Sequence, residues 1–226
     1  SQWVGYGLQD LQPGPIKEFA LPRDFGLAFG LERPWRNEAG DVLMHQSAWR
    51  LVDGRILVDE TLIVPESWED LPRVGVRFEV PSALNTLEWF GLGPDESYPD
   101  RRGAQTVGVW RSTVMQQYHP YVRPQEYGAR EQGRWFRLLD ANGKGIQVTM
   151  PEPLSFTVRP YHDEDLNAAE TLAELQPRAT TEVHIDIGMR GLGTGACGPD
   201  ALPEFRLGGG TYNFRWELSA IGTGAE

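Results

Sequence analysis

Three carboxylate groupings in this 226-residue sequence are candidates for acid–base chemistry: Asp95-Glu96, Gln125-Glu126 and Asp163-Glu164-Asp165. Hydrolysis of a glycosidic bond takes one carboxyl group as acid and a second as base or nucleophile across the scissile bond. Neighbours on a strand point to opposite faces, so no adjacent pair supplies both groups to one site. As solvated turn residues the three groupings need no catalytic role. Glu126 stands apart, between Pro124 and Gly128 and among Tyr118, Tyr121 and Tyr127, a segment suited either to a sugar face or to packing.

Other reactive types give less. His45, His119, His162 and His184 show no metal-ligand spacing. Ser112 and Ser155 lack the Gly-x-Ser-x-Gly elbow of an α/β-hydrolase nucleophile. Cys197, the single cysteine, has no basic neighbour to stabilise a thiolate and excludes an internal disulfide or a cysteine zinc cage. Gly191-Leu192-Gly193-Thr194-Gly195 lacks the Gly-Lys-Ser/Thr ending of a phosphate loop. Gly208-Gly209-Gly210 reads as a turn between strands. Of the eight tryptophans, Trp89, Trp110, Trp135 and Trp216 fall in apolar runs, where core packing is the simpler reading.

The elements that must position these residues read as β throughout. Strands are expected at 46–51, 55–64, 74–80, 86–92, 107–110, 135–139, 145–149, 154–160, 182–187, 204–207 and 211–218, from short alternating or apolar runs. Val52-Asp53-Gly54-Arg55 and Ala141-Asn142-Gly143-Lys144 read as hairpin turns. In 55–64 neither face is cleanly polar, so that strand is expected to be covered at least in part on both sides. A short exposed helix, such as 165–173, or paired turns are expected where Asp163 or Asp165 could cap a run through Leu175 in which Leu166, Ala169, Leu172 and Ala173 follow an i, i+3 spacing. No βαβα alternation supports a barrel of parallel strands or a dinucleotide fold. No repeat or linker divides the chain, which predicts one domain over 1–226, large enough to bury about 70% of its unfolded surface.

Charge narrows the partners. With 21 basic and 32 acidic residues the formal charge is −11 and the pI near 4.9, and the 2 lysines and 19 arginines are scattered, so neither nucleic acid nor an anionic membrane surface is an expected partner. No apolar run approaches the ~18 residues of a span, and no signal-peptide pattern opens the sequence, which gives the expectation of a cytoplasmic protein.

The run Leu87-Glu88-Trp89-Phe90-Gly91-Leu92-Gly93-Pro94-Asp95-Glu96-Ser97-Tyr98-Pro99-Asp100-Arg101 resembles the W-x-G-x-G-P-x-E-x-Y-x-D-R signature of glycoside hydrolase family 2 β-galactosidases, in their C-terminal domain or small chain. Tyr118-His119-Pro120-Tyr121-Val122-Arg123-Pro124-Gln125-Glu126-Tyr127-Gly128 is similar to the family's P-Y-x-x-P-Q-E-x-G stretch, and Ser155-Phe156 through Tyr161 to its S-F-x-x-x-x-Y segment. Val183-His184-Ile185-Asp186 and Gly191 through Asp200 resemble the loop that closes the galactose cleft. These four motifs occur in order between 87 and 216; residues 1–48 are placed in the same domain by continuity.

The resemblance implies an all-β, large antiparallel super-sandwich of the galactose mutarotase type. It implies a domain of a retaining β-galactosidase, acting on terminal β-D-galactosides such as lactose, that completes the galactose cleft. Both catalytic glutamates of the family belong to an upstream barrel, so Glu96, Glu126 and Glu164 inherit neither role and the chain alone is expected to be inactive. No cofactor is expected in this chain; the parent's Mg and Na would be held mainly by the barrel. The implied partners are the upstream barrel and sandwich domains and a galactoside, within a homo-oligomeric parent. The substrate-cleft rim would comprise Gly193, Thr194, Ala196 and Cys197, with no tryptophan where many members place one. Two alternatives remain: a non-catalytic carbohydrate-binding or scaffold module using Tyr98, Tyr118 and Tyr121, and an aldose 1-epimerase-like enzyme, for which His119 with Glu126 is the only nearby acid–base pair.

Overall fold

The structure, a computed structural model, describes residues 2–22, 26–194 and 198–222. In chain order the elements are α1 (Gln2–Gly5), β1 (Gln12–Pro13), β2 (Lys17–Phe19), β3 (Ala28–Arg36), β4 (Val42–Val52), β5 (Arg55–Val64), β6 (Arg73–Pro81), β7 (Thr86–Gly93), β8 (Thr106–Thr113), β9 (Arg130–Leu139), β10 (Gly145–Arg159), α2 (Asp163–Ala168), β11 (Thr180–Met189) and β12 (Gly210–Ile221), with short 3₁₀ turns between some of them. The pairings with given register are all antiparallel, and helix is confined to short pieces. The residues fall into two compact units, one of 1–75 with 187–219 and one of 76–186 with 220–226.

In unit 1, β3, β4, β5 and β12 follow one another as hydrogen-bonded neighbours, with β1 and β2 on β3. The β4–β5 hairpin closes at Val52↔Arg55, and its turn residues Asp53 (φ 48°) and Gly54 (φ 73°) both take the left-handed conformation that a two-residue hairpin loop demands. On β5, Val58, Glu60, Leu62 and Val64 point inward, while the opposite face is only half-covered and Ile63 is exposed. Buried Glu60 accepts a hydrogen bond from the Trp216 indole at 3.1 Å and lies 2.8 Å from His45 Nε2, which meets the need of a carboxylate in a core. Trp49 meets Trp216 edge-on at 5.8 Å.

Unit 2 orders its strands β6, β11, β10, β9, β7, β8. Leu87, Trp89, Phe136, Leu138, Val148 and Phe156 fill its core, with Phe136 and Phe156 stacked at 4.8 Å. The β9–β10 turn uses Gly143 (φ 75°), and the Asp140 carboxylate accepts from the Asn142 and Lys144 amides at 2.8 and 2.9 Å. A second cluster gathers Tyr127, Tyr161, Leu166, Ala169 and Leu175, with Tyr118 and Tyr121 against it.

Several expected elements are corrected. Residues 145–149 and 154–160 are one strand, β10, whose register slips between Thr149 and Leu154 where Pro151 and Pro153 cannot donate to the ladder. The helix is shorter than 165–173: it runs Asp163–Ala168 and is followed by a 3₁₀ turn at Leu172–Glu174. Its cap is His162 rather than an aspartate; Asp165, at the third helical position, accepts from the His162 amide at 3.0 Å. Residues 204–207 form no strand but a 3₁₀ turn, Pro203–Phe205, and a single bridge from Leu207 to Leu71. The three glycines therefore do not join two strands. A Cβ on Gly209 would lie 1.9 Å from the Pro65 carbonyl oxygen, so this run lets one backbone pass over another.

Candidate functional site

The Gly191–Asp200 loop belongs to unit 1, and its two ends are tied to what surrounds them. Buried Arg190 donates to both oxygens of Asp70, at 2.6 and 2.9 Å, and to Asp200 at 2.7 Å. Asp200 also accepts from the Ala201 amide at 2.7 Å. The Arg190 contact, then that amide, holds the Asp200 carboxyl down at about 2. The Gly191 amide donates to the Phe205 carbonyl at 2.8 Å. Thr194 donates from its amide (2.9 Å) and hydroxyl (3.1 Å) to the Pro199 carbonyl, closing the loop on itself. Gly193 has φ 61°, and a Cβ there would meet the Ala201 amide nitrogen at 2.5 Å. The glycine at this rim position thus serves a close approach within the loop. Ala196 and Cys197 lie outside the described residues.

Unit 2 holds a charged cluster built around Arg159. This guanidinium is fully buried and donates to Glu126 (3.0 Å), to Asp163, to Glu182 (3.0 Å) and toward His184 Nε2 (3.0 Å). Arg77 bridges Glu164 and Glu182, each at 3.0 Å. Strand register explains the meeting: Arg159 pairs with Glu182 and Thr157 with His184, so Glu182 and His184, two apart on β11, share the face toward the arginine. His184 Nε2 is 3.0 Å from the guanidinium and 2.9 Å from Glu182 Oε1, so its lone pair serves Arg159 or its proton serves Glu182, one at a time.

Two donor sets here have ligand atoms within 4.8 Å of one another: His162, Glu164 and Glu182, and Asp163, Glu182 and His184. Neither fits a divalent ion as the side chains stand. Arg77 and Arg159 already supply the positive charge these carboxylates face, and a metal would displace them against like-charge repulsion.

The carboxylates singled out from sequence have structural partners. Glu96 accepts from the Tyr121 hydroxyl and from the Gly128 amide at 2.8 Å. Glu126 is held by Arg159, and Glu164 by Arg77. Of the pair His119 and Glu126, the His119 ring lies against Tyr121 at 4.4 Å and Glu126 reaches Arg159. Sequence reading missed Arg159, Glu182 and Arg77. The i, i+2 spacing of Glu182 and His184 on a strand was the available signal.

The residues thus define an antiparallel β protein with a glycine-rich loop anchored by an Asp70–Arg190–Asp200 bridge and a carboxylate cluster gathered around Arg159 and Arg77. Residues 36–218 match the family described as "Beta galactosidase small chain", and the chain belongs to that family. It is 33% identical over 166 residues to a β-galactosidase of Actinobacillus pleuropneumoniae, covering 74% of this chain and 16% of that protein. It is 30% identical over 212 residues to a β-galactosidase of Arthrobacter sp. (strain B7), covering 91% of this chain and 20% of the relative. With the Lactobacillus delbrueckii subsp. bulgaricus β-galactosidase it shares 34% over 159 residues, 69% of this chain and 16% of the relative. The chain thus spans no more than a fifth of these relatives. Among solved structures, a putative aldose 1-epimerase from Escherichia coli K12 aligns with a TM-score of 0.45 and 12% identity, over 92% of this chain and 69% of that one.

Proposed function

We propose that this chain is the domain that completes the galactose cleft of a retaining β-galactosidase acting on terminal β-D-galactosides such as lactose, the catalytic carboxylates residing in a barrel outside these 226 residues. The observation that carries this reading is a family match over 36–218 in a chain that spans only 16–20% of its β-galactosidase relatives. In this reading Gly193, Thr194, Ala196 and Cys197 form part of the cleft rim. The Asp70–Arg190–Asp200 bridge fixes where that rim stands, because it ties the end of the loop to the segment after β5. The parent's Mg and Na are bound mainly by the barrel, and the barrel and sandwich domains are the chain's partners. Residues 1–226 act as one functional module of that enzyme.

Retaining hydrolysis takes two carboxyl groups about 5–5.5 Å apart, one of them free to attack. Glu96, Glu126 and Glu164 are each engaged with a tyrosine or an arginine instead. The purified chain should therefore leave a chromogenic β-galactoside intact, and the same chain joined to the upstream barrel should cleave it. Turnover by the chain alone, surviving repeated purification, overturns the proposal.

A further inference from the structure

Unit 2 also encloses a cleft of about 600 Å³, inside the roughly 300–1,000 Å³ range of small-molecule sites. Trp110 forms one wall and is held rigidly. A Cβ on Gly93 would fall 2.6 Å from its Cδ1 and one on Gly108 3.3 Å from its Cε2, so the indole rests across two bare stretches of backbone. Its N–H donates to the Gly91 carbonyl at 3.3 Å, and the half-buried ring faces the cleft with what remains of its surface.

Arg130 and Tyr118 line the same cleft. Arg130 is 4% exposed, lies over the Trp89 ring at 5.2 Å, and donates to neutral acceptors: the Gly128 and Ala129 carbonyls at 3.2 and 3.1 Å and the Gln117 side chain. Its Nε has no partner, nor does the Tyr118 hydroxyl. Burial pulls the Arg130 guanidinium down to about 10, with Glu96 offsetting part of that shift. Both orphaned atoms are screened from bulk water, so only a group entering the cleft and turning these side chains slightly can meet them.

The charges along the walls decide the ligand class. Asp95 and Glu96 balance Arg111 and Arg130, so neither an anion nor a cation is favoured over a neutral molecule. A rigid aromatic face beside mixed donors and acceptors suits a ring that is apolar on one side and hydroxylated at its edge. We propose that this cleft binds a neutral saccharide ring, with Trp110 under its C–H face, Asp95 and Arg111 on its hydroxyls, and Arg130 and Tyr118 at the floor. Among the described residues the cleft shares none with the Gly191–Asp200 loop, and the proposal stands whether or not the chain serves a β-galactosidase.

The experiment is ¹H–¹⁵N NMR of the 226-residue chain, observing the tryptophan indoles during titration with methyl β-D-galactopyranoside, methyl β-D-glucopyranoside and galacturonate. Saturable shifts of the Trp110 and Trp89 indoles with a neutral glycoside are expected. Trp110→Ala should weaken binding about five- to tenfold, the equivalent of one aromatic contact. Ser112→Phe, which fills the cleft from β8, should abolish binding while the remaining indole signals keep their positions. The proposal is overturned if neither neutral glycoside gives a saturable shift at these two indoles, if only galacturonate does, or if binding survives Ser112→Phe.

Discussion

Removing Arg159 would take the shared arginine from Glu126, Asp163 and fully buried Glu182, leaving Glu182 with Arg77 as its charged partner. Breaking a buried pair from one side typically costs about 3–5 kcal/mol, so Arg159→Met should lower the urea midpoint steeply. Arg159→Lys should recover only part of the loss, because a single ammonium cannot reach the four acceptors that the planar fork spans. Asp200 is exposed and makes a pH-dependent contribution of definite sign. Its folded pKa of about 2 lies below the ordinary aspartate value of 3.8, so the stability it adds is present above 3.8 and is lost as pH falls through about 2. Asp200→Asn should therefore lower stability at neutral pH, leave it nearly unchanged at pH 2 and below, and flatten acid unfolding in between. Cys197 carries a third expectation. In a β-galactosidase containing this chain, Cys197→Trp should tighten acceptor sugars several-fold, since an added aromatic contact contributes about 1 kcal/mol; unchanged acceptor affinity would remove the residue from the rim. At this scale the carboxylates and histidines could be picked out from the sequence, but their roles could not. What decides the role of Glu126 is an arginine 33 positions later, and only the folded chain brings the two together.

Among the elements, the strands whose inward residues alternate were the legible ones: Arg55–Val64 has the bounds that its pattern of Val58, Glu60, Leu62 and Val64 implies. Where the pattern is interrupted the reading failed. Ala28–Arg36 went unseen because Gly30, Glu32, Arg33 and Pro34 hide a strand whose pairing with β4 holds it in place. The opposite error occurred at 204–207, where apolar Phe205 and Leu207 suggested a strand but the backbone after Pro203 turns. The glycines that follow allow a sharp test. Gly208 has room, its nearest contact for a Cβ being 3.9 Å away, whereas Gly209 has Pro65 oxygen at 1.9 Å. Gly208→Ala should be close to neutral, and Gly209→Ala should cost about 1–3 kcal/mol as the two backbones are forced apart. Thermal melts of the two single variants compare them directly.

For the molecule as a whole, fold class and family were accessible from ordered motifs between 87 and 216 together with β-periodicity, while the split of the chain into two compact units was not, because no change of composition marks it. The chain enters unit 2 within β6, returns within β11 and leaves unit 1 again near the end of β12. The β5–β12 pairing bears on how such a chain can be made. β5 is paired with β12 over nine consecutive residues, from Val64↔Gly210 to Ile56↔Leu218. During synthesis everything between 65 and 209 must leave the ribosome before that edge of β5 can be closed. Throughout that interval β5 offers an unsatisfied row of amides and carbonyls to any passing strand. Nascent chains arrested before Gly210 should therefore be cut by protease within 55–64, and those extended past Ile221 should be protected there. A cell that makes this chain must shelter one sheet edge while residues 65–209 are synthesised.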